Sequence, residues 1–258
     1  MFQRSNAAYE RALALDPNRV MAAGNLITAR VDRGELGRAY DAATDLVRRR
    51  PQSGDAHFAL SYVLRYAGMQ EKAAQECNTA RSLDPRNFNF RSCAWAFLEL
   101  GQTARAMDFV HLDAGTEWAA WVTSYVYLAA GNLPQAREAV KSVAKAPTYH
   151  RELLAACTQA QRPADTDRIV REEESSVMTE PDPEEWYHVA ALMAYCGQTD
   201  AALRLVRSAI ENNYCSYSAL QHDPLLLKLR GTPEFSELLS AAKECQNGFL
   251  AHRDQSPQ

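Results

Sequence analysis

Nowhere in its 258 residues does the sequence run uninterrupted through the ~18 apolar positions that a membrane-spanning helix needs. Its first residues, broken by Arg4, Glu10 and Arg11, hold no apolar stretch of signal-peptide length. Neither a spanning helix nor a leader is therefore expected. Basic excess is also missing: 28 lysines and arginines face 32 aspartates and glutamates, a formal net charge of −4, so nothing draws the chain to a phosphate backbone and no nucleic acid is expected. Glycine and proline are scarce, at 11 each against 43 alanines. A strand-rich fold would need more of the first two in its turns, and alanine is the strongest helix former, so composition predicts an all-α chain. The six cysteines, Cys77, Cys93, Cys157, Cys196, Cys215 and Cys245, stand singly with no C-x-x-C pair, a pattern that suits neither a disulfide framework nor a zinc module. They are expected as reduced, mostly buried thiols in a cytoplasmic protein. A glycine-rich phosphate loop and the H-R-D and D-F-G motifs are absent. What is present, 47% hydrophobic residues, is enough to build a core.

Repetition organises that core. Pro17, Pro51 and Pro85 follow one another at steps of 34 residues, as do Gly34 and Gly68, and Ala39 and Ala73, while Leu15-Asp16-Pro17 recurs as Leu83-Asp84-Pro85. Further along the step drifts, yet Gly101, Gly131 and Gly197 each stand five residues before an alanine, Ala106, Ala136 and Ala202, as Gly34 and Gly68 do before Ala39 and Ala73. Within one unit, Asp55 to Tyr66 carries apolar residues at helical spacing, Gly68 breaks the run, and Gln70 to Leu83 opens a second helix that Pro85 ends. Gly68 suits a helix C-terminus because it adopts positive φ freely, and Ala73 is small where two helices must approach closely. Gln70 is expected at the surface. A pair this short cannot bury its apolar face alone, so the units must stack.

The unit resembles the tetratricopeptide repeat (TPR). Ala39, Ala73, Ala106, Ala136 and Ala202 match that family's small position in helix B, Pro17, Pro51 and Pro85 its closing proline, and Trp186 and Tyr127 its helix-A tryptophan and tyrosine. The resemblance implies an all-α fold, an α-solenoid of antiparallel helix pairs (a TPR superhelix) with a C-terminal capping helix. Its units would be a partial repeat holding helix B only (1–17), repeats at 18–51 and 52–85, a shortened TPR-like unit (86–116), a TPR-like unit (117–148), a degenerate repeat with an acidic linker (149–181), a last repeat (182–214), and a cap and tail (215–258). The partial first repeat, as in a fragment of a longer array, predicts fraying or self-association at that end. Phe235, Leu238, Leu239, Ala242, Cys245 and Phe249 form one apolar stripe, as a cap requires. Glu172-Glu173-Glu174 and Glu180-Pro181-Asp182-Pro183-Glu184-Glu185 read as solvated surface, and Gln161-Arg162-Pro163 replaces the turn glycine of the degenerate unit. Asn213 to Tyr217, Asp223-Pro224-Leu225-Leu226 and Pro233-Glu234-Phe235 resemble the close of TPR regions in bacterial serine/threonine kinases and winged-helix regulators. That second resemblance implies a regulatory or sensory region and transfers no activity.

Candidate chemistry is sparse. His222-Asp223-Pro224 reads as helix capping rather than as a catalytic dyad. His57, His111, His150, His188 and His252 have no partner at metal-ligand spacing, so they are read as structural, and neither metal nor cofactor is expected. No nucleophile, base and orienting group match by spacing, which argues against an enzyme. Aromatic residues are the feature that stands out: Phe58, Tyr62 and Tyr66 on one predicted A helix, Phe88, Arg91 and Trp95 on the next, Trp118, Trp121 and Tyr125 on a third, with Tyr187 and Tyr195 in the last repeat. The TPR resemblance places these positions on the concave inner surface. They are therefore expected to line a protein- or peptide-binding groove, with a filled core as the competing reading. Lys and Asn, which hold an acidic C-terminal peptide in the chaperone-binding subclass, are replaced by Phe58 and Tyr62, Arg91 and Trp95, and Trp121 and Tyr125. An apolar, aromatic or proline-containing segment is the expected partner, with Arg65 and Arg91 available to an acidic group.

Overall fold

The computed structural model describes residues 2–16, 18–142, 150–159, 164–179 and 181–255, which fold into helices without strands. Helix α1 (Phe2–Leu15) packs on α2 (Val20–Asp32), and six antiparallel pairs follow. They are α2 with α3 (Leu36–Arg49), α4 (Gly54–Tyr66) with α5 (Gln70–Leu83), α6 (Ala94–Glu99) with α7 (Thr103–Val110), α8 (Glu117–Ala129) with α9 (Leu133–Ser142), α10 (Arg151–Thr158) with α11 (Thr166–Val177), and α12 (Pro183–Tyr195) with α13 (Thr199–Glu211). A short α14 (Tyr217–His222) and a long α15 (Pro233–Gln255) complete the described chain. Pro17, Gln161-Arg162-Pro163 and Glu180, read above from the sequence, lie outside the described residues.

The turn chemistry of each pair explains its shape. Gly34 and Gly68 sit at φ of 76° and 70°, and the residue after each glycine donates its N–H back to the last turn of the A helix, Glu35 to the Arg30 carbonyl and Met69 to that of Leu64, both at 2.9 Å. This is a Schellman closure, which a side chain with a Cβ would oppose. Gly101, Gly131 and Gly197 repeat it. Five residues on, Ala39, Ala73, Ala106, Ala136 and Ala202 are wholly buried where B helices cross their neighbours. Ala73→Leu should therefore overpack the α4–α5 crossing and cost ~1–3 kcal/mol, read by denaturant unfolding, whereas Lys72→Leu on the exposed face should cost little. Gln70, expected outside, is instead 2% exposed, because its amide bonds to the Arg65 carbonyl and to Ser216 from a distant part of the chain.

All six cysteines are paired, which corrects the reading of free thiols. Cys77 of α5 joins Cys93, Cys157 of α10 joins Cys196 at the end of α12, and Cys215 joins Cys245 of α15, with Cα separations of 5.9, 5.2 and 5.2 Å. Each bond links different elements, so spacing along the chain concealed it. The native protein should show no reactive thiol to a colorimetric thiol reagent until it is both unfolded and reduced, when all six should appear. With these pairs the cysteines no longer argue for a reducing cytoplasm.

The array bends until its last elements meet its first. Helix α15 buries Phe235, Leu238, Ala242 and Phe249 and covers α13, as the cap stripe requires. It then reaches α3, where Phe249 meets Tyr40 edge to face at 5.3 Å and His252 lies 3.1 Å from Asp41. Gln246 donates to the carbonyls of Ala67 and Gly68, the Cys215 N–H to the Tyr66 carbonyl at 2.8 Å, and Asn213 to the Gly34 carbonyl at 2.8 Å. Closure of this kind leaves little open space along the inner face. Side chains from opposite ends of the chain fill it.

Candidate interaction groove

The inner face is divided between a packed aromatic pile and a shallow groove. In the pile, Trp95 contacts Trp121 at 5.1 Å and Tyr125 at 5.3 Å between ring centroids and stacks on His188 at 3.7 Å. Tyr187 stacks on Tyr214 at 4.9 Å, which in turn meets Tyr66 at 5.5 Å. Tyr66, Trp95, Trp121, Tyr125 and Tyr187 are all 3% exposed or less. These five are closed to a protein partner at the surface, which corrects their assignment to a peptide-binding groove; Tyr125 and Tyr187 border an inner cavity instead. The reason is closure: once α12 and the segment after α13 lie against α4 and α6, inward-facing rings become core.

Arg65 is corrected with them. Its guanidinium is fully buried and holds Glu184 at the start of α12 in a two-pronged ion pair, Nε to Oε1 at 2.5 Å and Nη2 to Oε2 at 2.8 Å, while Nη1 donates to the Ser92 carbonyl at 3.0 Å. Buried in this way, it is closed to an acidic ligand from solvent. Burial disfavours the Arg65 charge, but Glu184 more than offsets this and keeps it protonated. Glu184 is itself raised to about 7, mainly by burial and against the pull of Arg65. The neighbouring Asp182 caps α12 by accepting the N–H groups of Glu184 and Glu185 at 3.0 and 3.1 Å, and it also accepts the Tyr66 hydroxyl at 2.6 Å. Thus the acidic stretch before α12, read as a solvated loop, is the clasp between the last repeat and the second. Upstream, Glu173 pairs with His150, and Glu174 takes both prongs of Arg204 at 2.6 and 2.7 Å. His150 bridges Glu173 and Glu185; burial lowers its pKa, and the two carboxylates overcome that to raise it to about 10. No spacing rule exposes such a histidine, because its partners come from two other helices.

The groove is built from what the closure leaves uncovered. Helices α2 and α4, the 3-10 turn Phe88–Cys93 and the start of α8 surround a depression of about 550 Å³. Five of the sequence-selected residues line it: Phe58, Tyr62, Phe88, Arg91 and Trp118. Four of these are half-buried, and Phe88 is 52% exposed. Arg91 lies over the rings of Trp118 and Phe88, at 5.1 and 5.9 Å from their centroids, and 3.4 Å from Asp113. Asp32 and Asp55 also line the groove. Burial raises the pKa of both; for Asp32 the adjacent Asp182 adds to a shift well above the usual carboxylate range, although the Tyr62 hydroxyl donates to it at 2.9 Å. Tyr9 and Met21, which the sequence reading did not select, complete the groove from α1 and α2. Tyr195, the remaining selected residue, lies elsewhere, with Lys228 5.8 Å above its ring.

No family model and no curated protein matches the sequence. Solved structures do: 92% of this chain superimposes on a chain of the APC/C hetero-tetramer Cut9–Hcn1 at 15% identity with a TM-score of 0.59, covering 52% of that chain. The protein therefore spans about half the length of that neighbour. YrrB, a TPR protein with an unusual peptide-binding site, matches 83% of this chain over 96% of its own at 15% identity and a TM-score of 0.42. A TPR protein from Parabacteroides merdae matches 96% over 100% at 15% identity and a TM-score of 0.45. Repeated glycine closures, buried B-helix alanines and the likeness to Cut9–Hcn1 agree: this chain has the fold of a tetratricopeptide-repeat solenoid.

Proposed function

We propose that the protein is a non-catalytic interaction module that takes an extended segment of a protein partner into the groove between α2, α4 and α8. The observation that carries this reading is Phe88, a large aromatic side chain more than half exposed at the edge of a depression already walled by Phe58, Tyr62 and Trp118. Aromatic anchors with an arginine beside them are the commonest source of binding energy at protein interfaces. A segment with aromatic or proline side chains suits those walls, and Arg91, only partly engaged by Asp113, can meet an acidic group on it. The tail resemblance supports a second reading within the same class, in which this is the regulatory or sensory region of a bacterial signalling protein. Among the described residues no helix is long and apolar enough to cross a membrane. The three disulfides suit an oxidising compartment.

Phe88→Ala and Trp118→Ala test the groove without disturbing the pile. Both variants should melt closer to the native protein than any variant of the pile, since Phe88 is exposed and Trp118 only half-buried. Peptides selected from a random phage-displayed library on the native protein should bind them about thirtyfold less tightly, the equivalent of ~2 kcal/mol for an anchor residue. Undiminished binding of the selected peptides by both variants would remove the groove from consideration.

A further inference from the structure

A second cavity, of about 510 Å³, lies where α14 crosses the closed array, and it shares no lining residue with the groove. Its size is that of a small-molecule site. One side is formed by the α4–α5 turn and the end of α6, another by α8 and α12, and the lid by α14 and Asp223.

Its polar lining is one-sided. Glu99, Asp223 and Glu71 contribute carboxyl groups, with His222 beside them, and among the described residues no lysine or arginine lines the cavity. Three further lining residues hold buried polar atoms that have no hydrogen-bond partner among the described residues: the Gln70 carbonyl oxygen, both ring nitrogens of His188, and the Ser218 hydroxyl. Gln70 and His188 are each 2% exposed, so neither is satisfied by bulk water at the surface. The orientation of Gln70 is determined by its amide nitrogen, which donates to the Arg65 carbonyl at 3.0 Å, to Ser216 at 2.9 Å and to Glu99. Its carbonyl is the atom left without a partner. Buried polar atoms without partners are rare in folded proteins because each costs ~1–3 kcal/mol, and three residues converging on one cavity point to a ligand that satisfies them.

The chemistry of that ligand follows from what is missing. Gln70 offers only an acceptor. Burial first, then the charges of Arg65 and His150, push His188 well below its usual pKa, so the ring is neutral and presents one acceptor and one donor. The Asp223 carboxylate accepts the hydroxyls of Tyr187 and Tyr125 at 2.7 and 3.2 Å, and Glu99 accepts those of Tyr214 and Ser216, both at 3.0 Å. With the Gln70 amide on Glu99 and the Leu225 N–H on Asp223, each group accepts three hydrogen bonds and keeps one of its four lone pairs. Around them stand the rings of Tyr125 and Tyr187 and the apolar side chains of Leu98, Leu100 and Ala129. Surplus acceptors, carboxyl groups and aromatic walls together select a cation bearing several N–H donors on an apolar body, and a bound cation favours the ionised form of Glu99, which burial otherwise raises to about 8. We propose that this cavity binds a small organic amine, with its ammonium group held by Glu99, Asp223 and the Gln70 carbonyl and its apolar body against Tyr125, Tyr187 and Leu98.

Benzylamine and phenethylamine are suitable probes, with benzyl alcohol and benzoate as neutral and anionic counterparts of similar shape. By calorimetry and thermal shift, the amines should bind and raise the melting temperature, and the alcohol and the acid should bind at least ~tenfold more weakly, as expected when a charge-assisted hydrogen bond is lost. Asp223→Asn and Glu99→Gln should weaken amine binding by a similar factor. Because both carboxyl groups also hold the closure together, Ser218→Leu provides an independent arm: the position is half-buried, and the larger side chain should occupy the cavity and abolish binding while leaving the fold intact. Trp118→Ala, in the groove, should leave amine binding unchanged, which separates this site from the peptide groove. The proposal is overturned if neither amine binds, if the alcohol binds as tightly as its amine, or if folded Ser218→Leu protein retains full affinity. It is equally overturned if a lysine-containing peptide binds where the free amines do not, which would make the cation a partner's side chain.

Discussion

Trp95→Ala and Trp121→Ala should each lower stability by ~3–5 kcal/mol, enough to bring a domain of ordinary stability close to unfolding. Both indoles are buried, at 3% and 1% exposure, and they are in contact with each other and with Tyr125 and His188. Removing either opens a cavity at the centre of the closed array, where helices from three pairs meet and none can move inward without disturbing another. Circular dichroism melts would show a large drop for both variants. Melting temperatures near that of the native protein would mean that these rings are peripheral and that the inner face is open. The contrast with Trp118→Ala and Phe88→Ala, whose effects should fall on binding, is the sharpest division within the aromatic set.

Arg65→Met should be comparably damaging, at ~3–5 kcal/mol, for a different reason. It strands Glu184, 4% exposed, beside Asp182 and without its counter-charge. Replacing both partners, as Arg65→Met with Glu184→Leu, removes the buried charge altogether and should recover most of the loss. The pH dependence distinguishes these variants further. Glu184 is held at about 7 by burial, above the 4.5 of an unburied glutamate. A raised folded-state pKa means that the folded protein retains the proton more strongly, so this contribution to stability is complete below about 4.5 and is lost as pH rises towards 7. Glu99, raised by burial to about 8, acts in the same direction over a wider range. Above about pH 6.5, where the buried neutral His188 no longer acts in the opposite sense, unfolding free energy should thus decline towards pH 8 in the native protein, and more steeply in Arg65→Met, where nothing offsets the Glu184 charge. A stability profile that rises over that interval would contradict the burial of both carboxyl groups.

Much of the architecture was legible because its causes are local. The turn at Gly68 needs a residue at positive φ, and the crossing at Ala73 needs a small one; each requirement concerns a few neighbouring residues and so leaves a mark at a constant offset. The groove was half legible for the same reason, since Phe58, Tyr62 and Trp118 project from inward-facing A-helix positions, whereas Phe88 and Arg91, expected on an A helix, lie in the 3-10 turn that leads into α6. Tyr9 and Met21 escaped notice because nothing in their own spacing indicates which helix they will face.

The role of the remaining selected residues depended on curvature. Tyr66, Arg65 and Trp95 have the residue types and spacing of groove residues, and in an open superhelix they would be exposed. Here His252 meets Asp41 across 211 residues of sequence, and Arg65 meets Glu184 across 119. Contacts at that range follow from small rotations accumulated over successive helix pairs, and no short segment encodes them. The same closure placed Cys215 beside Cys245 and brought Gln70, His188 and Ser218 around one cavity. The sequence by itself determined the repeat, its helix ends and its inward-facing positions, because backbone φ and helix-to-helix clearance are settled between near neighbours. Whether an inward-facing side chain became core, clasp or surface was decided only by the tertiary structure, because burial depends on which distant helix arrives to cover it.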